Sequence, residues 1–384
     1  MPEPHLDNVS YAFDSSGIQL TYLERRLERL SSSDYQCVKA LAVFNDAVTL
    51  EVLAKLMDWP LDVAQSLASN LVEVDLAKAQ GFNHYKLEPG LCAYLRQGMD
   101  AQTLIEMQHR WRQVMVDFIA ELVRQNNNNI LQISQLSSLE WSNFSALLEQ
   151  WQQIGTTDKV IELCSELSLL LQFSGQPEQL ARITQVSEQA KQDLSPVWSH
   201  ARFLVQQNRI ENTLNAGHLQ MAYQQAVALL ELVLQAGAAA YQSAAYDILR
   251  AYFYIGRILK RRGLAETALE SLQQARQGFQ VLADNGDQDA ARMASIALAE
   301  QGDCLTDIGR LDEAVEVYQQ AIKLAENQSD KRQVAFGKGQ LATVRRLQKD
   351  YEAAFAAYAE ARDIFSQLND PQALAAIIPA SRLV

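Results

Sequence analysis

The chain has 384 residues, 48% of them hydrophobic and 21% charged, and carries 33 basic against 46 acidic side chains, a formal charge of −13. That balance excludes a disordered chain, a collagen and a disulfide-stapled miniprotein, and it disfavours a protein that coats a polyanion. Sixteen glycines and eight prolines are too few for a turn-rich all-β fold.

The opening Met1-Pro-Glu-Pro-His-Leu-Asp has neither the basic nor the apolar region of a signal peptide. No apolar run approaches the length of a bilayer span. Cys37, Cys92, Cys164 and Cys304 lie far apart with no C-x-x-C pair, so structural thiols are expected instead of disulfides or a zinc site. A cytoplasmic protein is the expectation. Residues 1–30 read as a tail, or as the remnant of an upstream domain.

Residues 31–100 read as a small module. Tyr35–Phe44 is apolar at helical spacing, Thr49 is a candidate N-cap for a helix over Leu50–Met57, and Leu61–Asn70 follows Pro60. Leu71-Val-Glu-Val-Asp-Leu76 alternates apolar and acidic residues and predicts a strand. Gly81-Phe-Asn83 predicts a turn, His84–Leu87 a return strand, and Leu91–Arg96 a closing helix. Three helices followed by a two-stranded wing is a winged-helix layout. Residues 1–100 hold 8 basic and 14 acidic side chains, and the helix in the recognition position, Leu61–Asn70, has no Lys or Arg. Phosphate and base contacts need such residues, so nucleic-acid binding is not expected.

Residues 101–195 predict a helical linker with Trp111, Trp141 and Trp151. Four asparagines at 126–129 predict a loop, because the short amide competes with helix hydrogen bonds. Asp158–Phe173 predicts an amphipathic helix, broken at Ser174-Gly-Gln-Pro177 and followed by a return helix over Glu178–Lys191.

Residues 196–384 carry a repeat. Ile255-Gly256 precedes Arg262-Gly263-Leu-Ala-Glu-Thr-Ala268; Gln301-Gly302 precedes Ile308-Gly309-Arg-Leu-Asp-Glu-Ala314, Tyr318 and Ala321; Leu341-Ala342 precedes Lys349-Asp-Tyr-Glu-Ala-Ala354, Tyr358 and Ala361. A weaker copy contains Gly217 and Ala222, and the alanine anchors stand 46, 46 and 40 residues apart. The pattern predicts stacked helical hairpins. A small residue in the first helix admits the second, glycine ends the first helix, and an alanine sits where the pair is closest. A mainly all-α fold follows, an α-solenoid of such hairpins preceded by the small module. The spacing of small residues, Gly, Ala and Tyr resembles the tetratricopeptide repeat, although the period is longer than the usual ~34 residues and the closing proline is missing.

The succession Leu41-Ala-Val-Phe44, Val48–Leu53, Leu67–Val72 and Tyr85-Lys-Leu87, then Glu140–Leu148 with Trp151, then long repeats, resembles the winged helix, linker and sensor of STAND-type signal-transduction ATPases. That resemblance implies that ligand capture by the repeats relieves contacts with an ATPase core and permits oligomerisation. The P-loop G-x4-G-K-[ST] is missing: Gly337-Lys338 is followed by Gly339. The chain is therefore expected to be either the sensor arm of a longer protein or a natural protein that kept only that arm, with no ATPase activity to carry over.

No other catalytic constellation stands out. His5, His84, His109, His200 and His218 have no metal-ligand spacing, and no G-x-S-x-G elbow occurs. No enzyme activity, cofactor or metal is expected. A basic stripe does stand out: Arg250, Phe253, Arg257, Lys260 and Arg261 follow 3–4 spacing, and Asp303, Asp307 and Arg346 recur at similar places in the next hairpins. The stripe suits an extended protein or peptide ligand, with arginine forks pairing carboxylates. Alternatively, these charges pair between hairpins, for example Arg257 with Asp303. The sequence thus supports a non-enzymatic sensor or scaffold with a protein or peptide partner and no membrane. A winged-helix transcription regulator and a free-standing adaptor stay open as alternatives.

Overall fold

The computed structural model describes residues 22–125, 128–172, 175–370 and 373–375. The proposed tail before residue 22, Asn126, Asn127, Phe173, Ser174 and the apolar end after Leu374-Ala375 lie outside the described residues. The chain divides into two compact units, Met1–Leu122 with Ser134–Gly155 and Leu170–Gln176, and Val123–Ile133 with Thr156–Leu169 and Pro177–Val384.

The first unit begins its described part with helical residues 22–27, α1 (Ser32–Val38) and a 3-10 turn, Lys39–Val43. Ser31 caps α1 by accepting from the Asp34 amide, 3.0 Å. Strand β1 (Ala47–Thr49) leads into α2 (Leu50–Met57), which stops at Asp58 in the left-handed region; α3 (Leu61–Glu73) follows Pro60. Strands β2 (Ala77–Gly81) and β3 (His84–Leu87) complete an antiparallel sheet in the order β1-β3-β2, with Val48 opposite Tyr85 and Lys78 opposite Lys86. Helices α4 (Leu91–Gln97), α5 (Ala101–Gln125), α6 (Ile130–Leu139) and α7 (Trp141–Ile154) follow.

The strand predicted at Leu71–Leu76 is corrected: α3 runs through Glu73, and β2 starts at Ala77. Leu67, Leu71 and Val74 are all buried and continue the helical stripe, so a pattern that also alternates is used by the helix first. Asp75, with φ 56°, then reverses the chain, and the turn at Gly81-Phe-Asn83 stands where it was predicted, all three residues with positive φ.

Thr49 flanks α2 as predicted, but its hydroxyl does not cap the helix. It donates to buried Glu140, 2.5 Å, and Asn143 donates to the other oxygen of that carboxyl, 2.8 Å. Asn143 also accepts from the Asn45 amide, 2.8 Å, and donates to the Ala47 carbonyl, 3.0 Å. His84 of β3 lies 3.4 Å from Glu140. The start of α7 is thereby bonded to the edge of β1, which makes the sheet and this helix parts of one packed unit. Trp111 of α5 meets Phe44 edge-to-face at 6.3 Å within the same core.

The second unit contains α8 (Thr157–Leu171, as far as Leu169), α9 (Pro177–Gln192) and four helical hairpins. The first helices are α10 (His200–Asn215), α12 (Ala244–Arg261), α14 (Gln288–Asp307) and α16 (Lys331–Leu347). Their partners are α11 (Leu219–Ala236), α13 (Ala265–Asp284), α15 (Leu311–Asn327) and α17 (Tyr351–Gln367). This is a solenoid of tetratricopeptide-like hairpins. Ala222, Ala268, Ala314 and Ala354 are fully buried, as the repeat predicts. Gly263 (φ 77°) closes the α12–α13 turn, with the Leu264 amide bonded to the Leu259 carbonyl at 3.0 Å. In the fourth copy Lys349 (φ 66°) takes this place.

A carboxylate joint ties successive first helices. Asp330 caps α16 through the Gln333 amide, 3.0 Å, and accepts from Arg292 of α14, 2.7 Å. Asp370 repeats the arrangement with the Ala373 amide, 3.0 Å, and Arg332 of α16, 2.8 Å. Buried Asp247 of α12 is held by His200 of α10, 2.7 Å, and by the Tyr241 hydroxyl, 2.8 Å.

Candidate functional site

The first helices of the second and third hairpins carry the basic stripe. From α12, Arg250, Phe253, Tyr254 and Arg257 line a cleft of about 310 Å³; from α14, Met293, Ile296 and Glu300 close its other side. These helices form because Ala, Leu, Ile, Arg and Gln dominate them, and Asp287 caps α14 by accepting from the Ala290 amide, 2.9 Å. Small residues at Gly256 and Gly302 hold each first helix tight against its partner, which leaves the long side chains of the opposite face to meet across the cleft.

Much of the predicted stripe is neutralised from the next helix. Arg257 lies 3.3 Å from Glu300, and Lys260 bonds both Glu300 and Asp303, the latter at 2.5 Å. Burial alone would lower the Lys260 ammonium; Glu300 and Asp303 outweigh it and hold the group above its ordinary value. Asp303 also accepts from the Tyr318 hydroxyl, and Glu211 of α10 accepts from the Tyr254 hydroxyl.

The pairing has a register. Tyr254 reaches Glu211, and Lys260 reaches Asp303, each 43 positions away; Arg257 reaches Glu300 at the same separation. The repeat period is 46, so contacts fall three residues, about one helical turn, earlier on the following helix. Charges therefore do pair between hairpins, but Arg257 meets Glu300 and not Asp303.

Arg250 follows a different rule. Its register partner, 43 positions on, is Met293. Its guanidinium lies over the rings of Phe203 and Tyr246, at 5.5 and 5.9 Å. Burial alone would lower its guanidinium; Tyr254, Tyr246 and Asp247, one turn earlier, outweigh it, and its partners are thus on its own helix and not on the next one. The remaining predicted residues are not gathered into the cleft. Arg261 and Asp307 are exposed at the ends of their helices, and Arg346 stands two hairpins along on α16, its Nε buried without a hydrogen bond among the described residues. Met293 and Ile296 escaped the sequence reading; the spacings of 43 and 46 from Arg250 are the signal that finds them.

A second cleft, of about 380 Å³, opens around Arg124, Asp289, Arg292 and Asp330, where Arg292 and Asp330 already pair. Among the described residues no cluster of His, Cys, Asp and Glu is arranged to hold a metal ion, and no helix is long and apolar enough to cross a membrane.

Comparison with protein families matches residues 289–367, the third and fourth hairpins, to the tetratricopeptide repeat. No curated protein matches the chain. Among solved structures, BtubC (BKLC) from P. vanneervenii is 16% identical, covering 62% of this chain and 92% of its own, with a TM-score of 0.43. A STAND protein with a tetratricopeptide repeat sensor from Pyrococcus horikoshii is 12% identical over 100% of this chain, which spans 65% of that protein, with a TM-score of 0.41. A Rap protein complexed with Competence and Sporulation Factor is 15% identical, covering 94% and 96%, with a TM-score of 0.43. At these identities and scores the likenesses assign nothing beyond what the repeats themselves show. The buried anchors, the hairpin turns and the matched residues 289–367 show that the second unit is built of tetratricopeptide-like hairpins.

Proposed function

We propose that the chain is a non-enzymatic scaffold or sensor that captures an extended protein or peptide segment on the first-helix face of its repeats, in the cytoplasm and without a cofactor. The observation that carries this reading is the cleft between α12 and α14, with apolar Phe253, Met293 and Ile296 beside the cations Arg250 and Arg257. An apolar floor with a few placed charges is what a binding groove needs. Fluorescence anisotropy with short labelled peptides tests it. The expected result is saturable binding that Arg257→Glu with Lys260→Glu abolishes while far-UV circular dichroism stays unchanged; unchanged binding in that double variant refutes the groove.

In the same proposal, the first unit is a winged helix that joins the repeats to the rest of a STAND-like signalling protein. The order α1, α2, α3 and the β2–β3 hairpin supports the winged-helix reading. A P-loop encoded upstream of Met1 would support the STAND reading. Helix α3 has no Lys or Arg, so mixed DNA duplexes at low salt should not bind; tight, salt-sensitive binding would favour a transcription regulator instead.

A further inference from the structure

The small sheet of the first unit has an open side. Strand β2 stands at the end of the order β1-β3-β2, so no described strand covers its outer edge. The Glu88 amide bonds the Leu76 carbonyl at 2.9 Å, and Lys78 stands opposite Lys86 in the same ladder. Bonded pairs alternate along an antiparallel ladder. Lys78 and Lys86 therefore bond each other, while Ala77 and Ala79 turn their N–H and C=O groups to the open side. The run is short, because an irregularity between Ala79 and Gly81 ends the regular pairing.

Charge at this edge is one-sided. Lys78 and Lys86 are both exposed and directly opposite each other, an arrangement that costs stability when nothing answers it. Among the described residues neither makes an ion pair within 4.0 Å. The acids of the same cleft are engaged elsewhere: Arg26 reaches Asp75 at 3.6 Å and Glu88 at 4.0 Å, and lies over the Tyr22 ring at 3.8 Å. A lysine on an edge strand commonly guards against stray pairing, and Lys78 fits that role. Lys86 does not, because it is on the central strand. Beside the lysines lies a cleft of about 540 Å³, lined by Ala77 and Ala79 and by the exposed side chains of Tyr22 and Val72.

We infer that the open edge of β2 is a docking site for an extended acidic segment of a partner protein. The segment adds a strand beside Ala77–Ala79, and acids at alternate positions fall on the face of Lys78 and Lys86, whose charge they complement. Duplex nucleic acid fits less well. Helix α3 has no Lys or Arg, and Asp75 and Glu88 line the cleft where phosphates would approach. The inference does not depend on the groove of the repeats.

The test is fluorescence anisotropy of the full chain with labelled, end-blocked seven-residue peptides of alternating Val and Glu, against the same peptides with Gln or Lys in place of Glu. The Glu peptide should bind about 3- to 30-fold more tightly than the Gln peptide, the size of two exposed ion pairs, and the difference should shrink as salt rises. Methylating alternate backbone amides separates strand pairing from charge alone. One alternate set should abolish binding and the other should leave it, and the set that matters gives the direction of the added strand. Lys78→Glu with Lys86→Glu keeps two like charges opposed at exposed positions, so the melting transition should not move. This double variant should lose the Glu peptide and bind the Lys peptide instead, a reversal that a misfolded chain does not give. Equal binding of the Glu and Gln peptides, tolerance of both methylated sets, absence of the reversal, or failure of every peptide overturns the inference. Displacement of the Glu peptide by mixed DNA duplexes would make this a phosphate site, and self-association lost in the double variant would make the occupant a second copy; either result overturns it as well.

Discussion

Replacing Gly256 by alanine tests the packing rule on which the repeats rest. In an open helix the change stabilises, because alanine is better than glycine by about 1 kcal/mol. Here a Cβ on Gly256 would lie 2.5 Å from Cγ and 2.8 Å from Cδ2 of Leu272, and 3.3 Å from the Ala268 carbonyl oxygen. Carbon atoms in contact ordinarily sit about 3.5–4.0 Å apart, so one side must give by about 1 Å. The obstacle is the branch point of a fully buried leucine and the backbone of the partner helix, and neither can swing away. Overpacking of this kind costs about 1–3 kcal/mol, so the net expectation is a loss of up to about 2 kcal/mol. Urea titration followed by circular dichroism measures it, with the denaturant slope unchanged. Adding Leu272→Ala should make Gly256→Ala less costly than in the native background, a coupling that marks direct contact. A gain of about 1 kcal/mol on Gly256→Ala would show that α12 and α13 are not in close approach there and would refute the rule.

Two further outcomes are expected. Burial holds His84 down at about pH 4, below the ~6.5 of an unfolded histidine, so the unfolded chain takes up the proton first as pH falls. The contribution of neutral His84 is therefore intact above about pH 6.5 and is lost towards pH 4, by up to about 3 kcal/mol. Burial pushes the neighbouring Glu140 carboxyl upward, which works the opposite way. Urea midpoints of the first unit against pH check the sign: the fall between pH 6.5 and 4 should shrink in His84→Gln, and an equal fall in that variant contradicts it. Burial also pushes Cys92 up to about 11 and Cys164 and Cys304 up to about 12, whereas Cys37 alone is only half-buried. A thiol reagent should modify Cys37 first in the folded chain and reach the other three only on unfolding; early labelling of Cys164 would contradict the packing of α8.

The repeat frame was legible because the residues that set it are small and periodic. Ala222, Ala268, Ala314 and Ala354 sit where no larger side chain fits, and Gly263 and Gly309 take a backbone conformation that other residues resist. The β2 strand was misplaced because Val74 belongs both to the helical stripe of Leu67 and Leu71 and to the alternation of Val72 and Leu76, and the helix, already begun at Leu61, continues until Asp75 turns it. The Thr49–Glu140–Asn143 group could not be read at all. Thr49 and Glu140 are 91 positions apart, and nothing periodic connects them. The pairing of the basic stripe was half legible. The period of 46 says which residues occupy the same place in successive hairpins, but it does not say how far one first helix slides past the next. The observed slide puts Tyr254–Glu211, Arg257–Glu300 and Lys260–Asp303 at 43, and the long Lys260 side chain also reaches Glu300 at 40.

The slide changes what the charge pattern means. Under the period of 46, Arg250 faces Ile296, Arg257 faces Asp303 and Lys260 faces Thr306, which leaves Lys260 as a free cation beside Arg250. Under the observed register Arg257 and Lys260 are both answered from the next helix, and Arg250 is answered on its own helix by Tyr254 and Asp247. An acidic chain of −13 thus carries a basic stripe whose charges are answered inside the stack, and its net charge does not foretell that. Recognition in such a stack is decided rung by rung, because the anchors that pack the hairpins, Gly256, Ala268 and Leu272, are not the residues that line the cleft. Exchanging Met293 for an acid leaves those anchors untouched and adds a negative charge to the lining of the cleft. A single substitution at a rung can therefore change what the stack binds without changing how it folds.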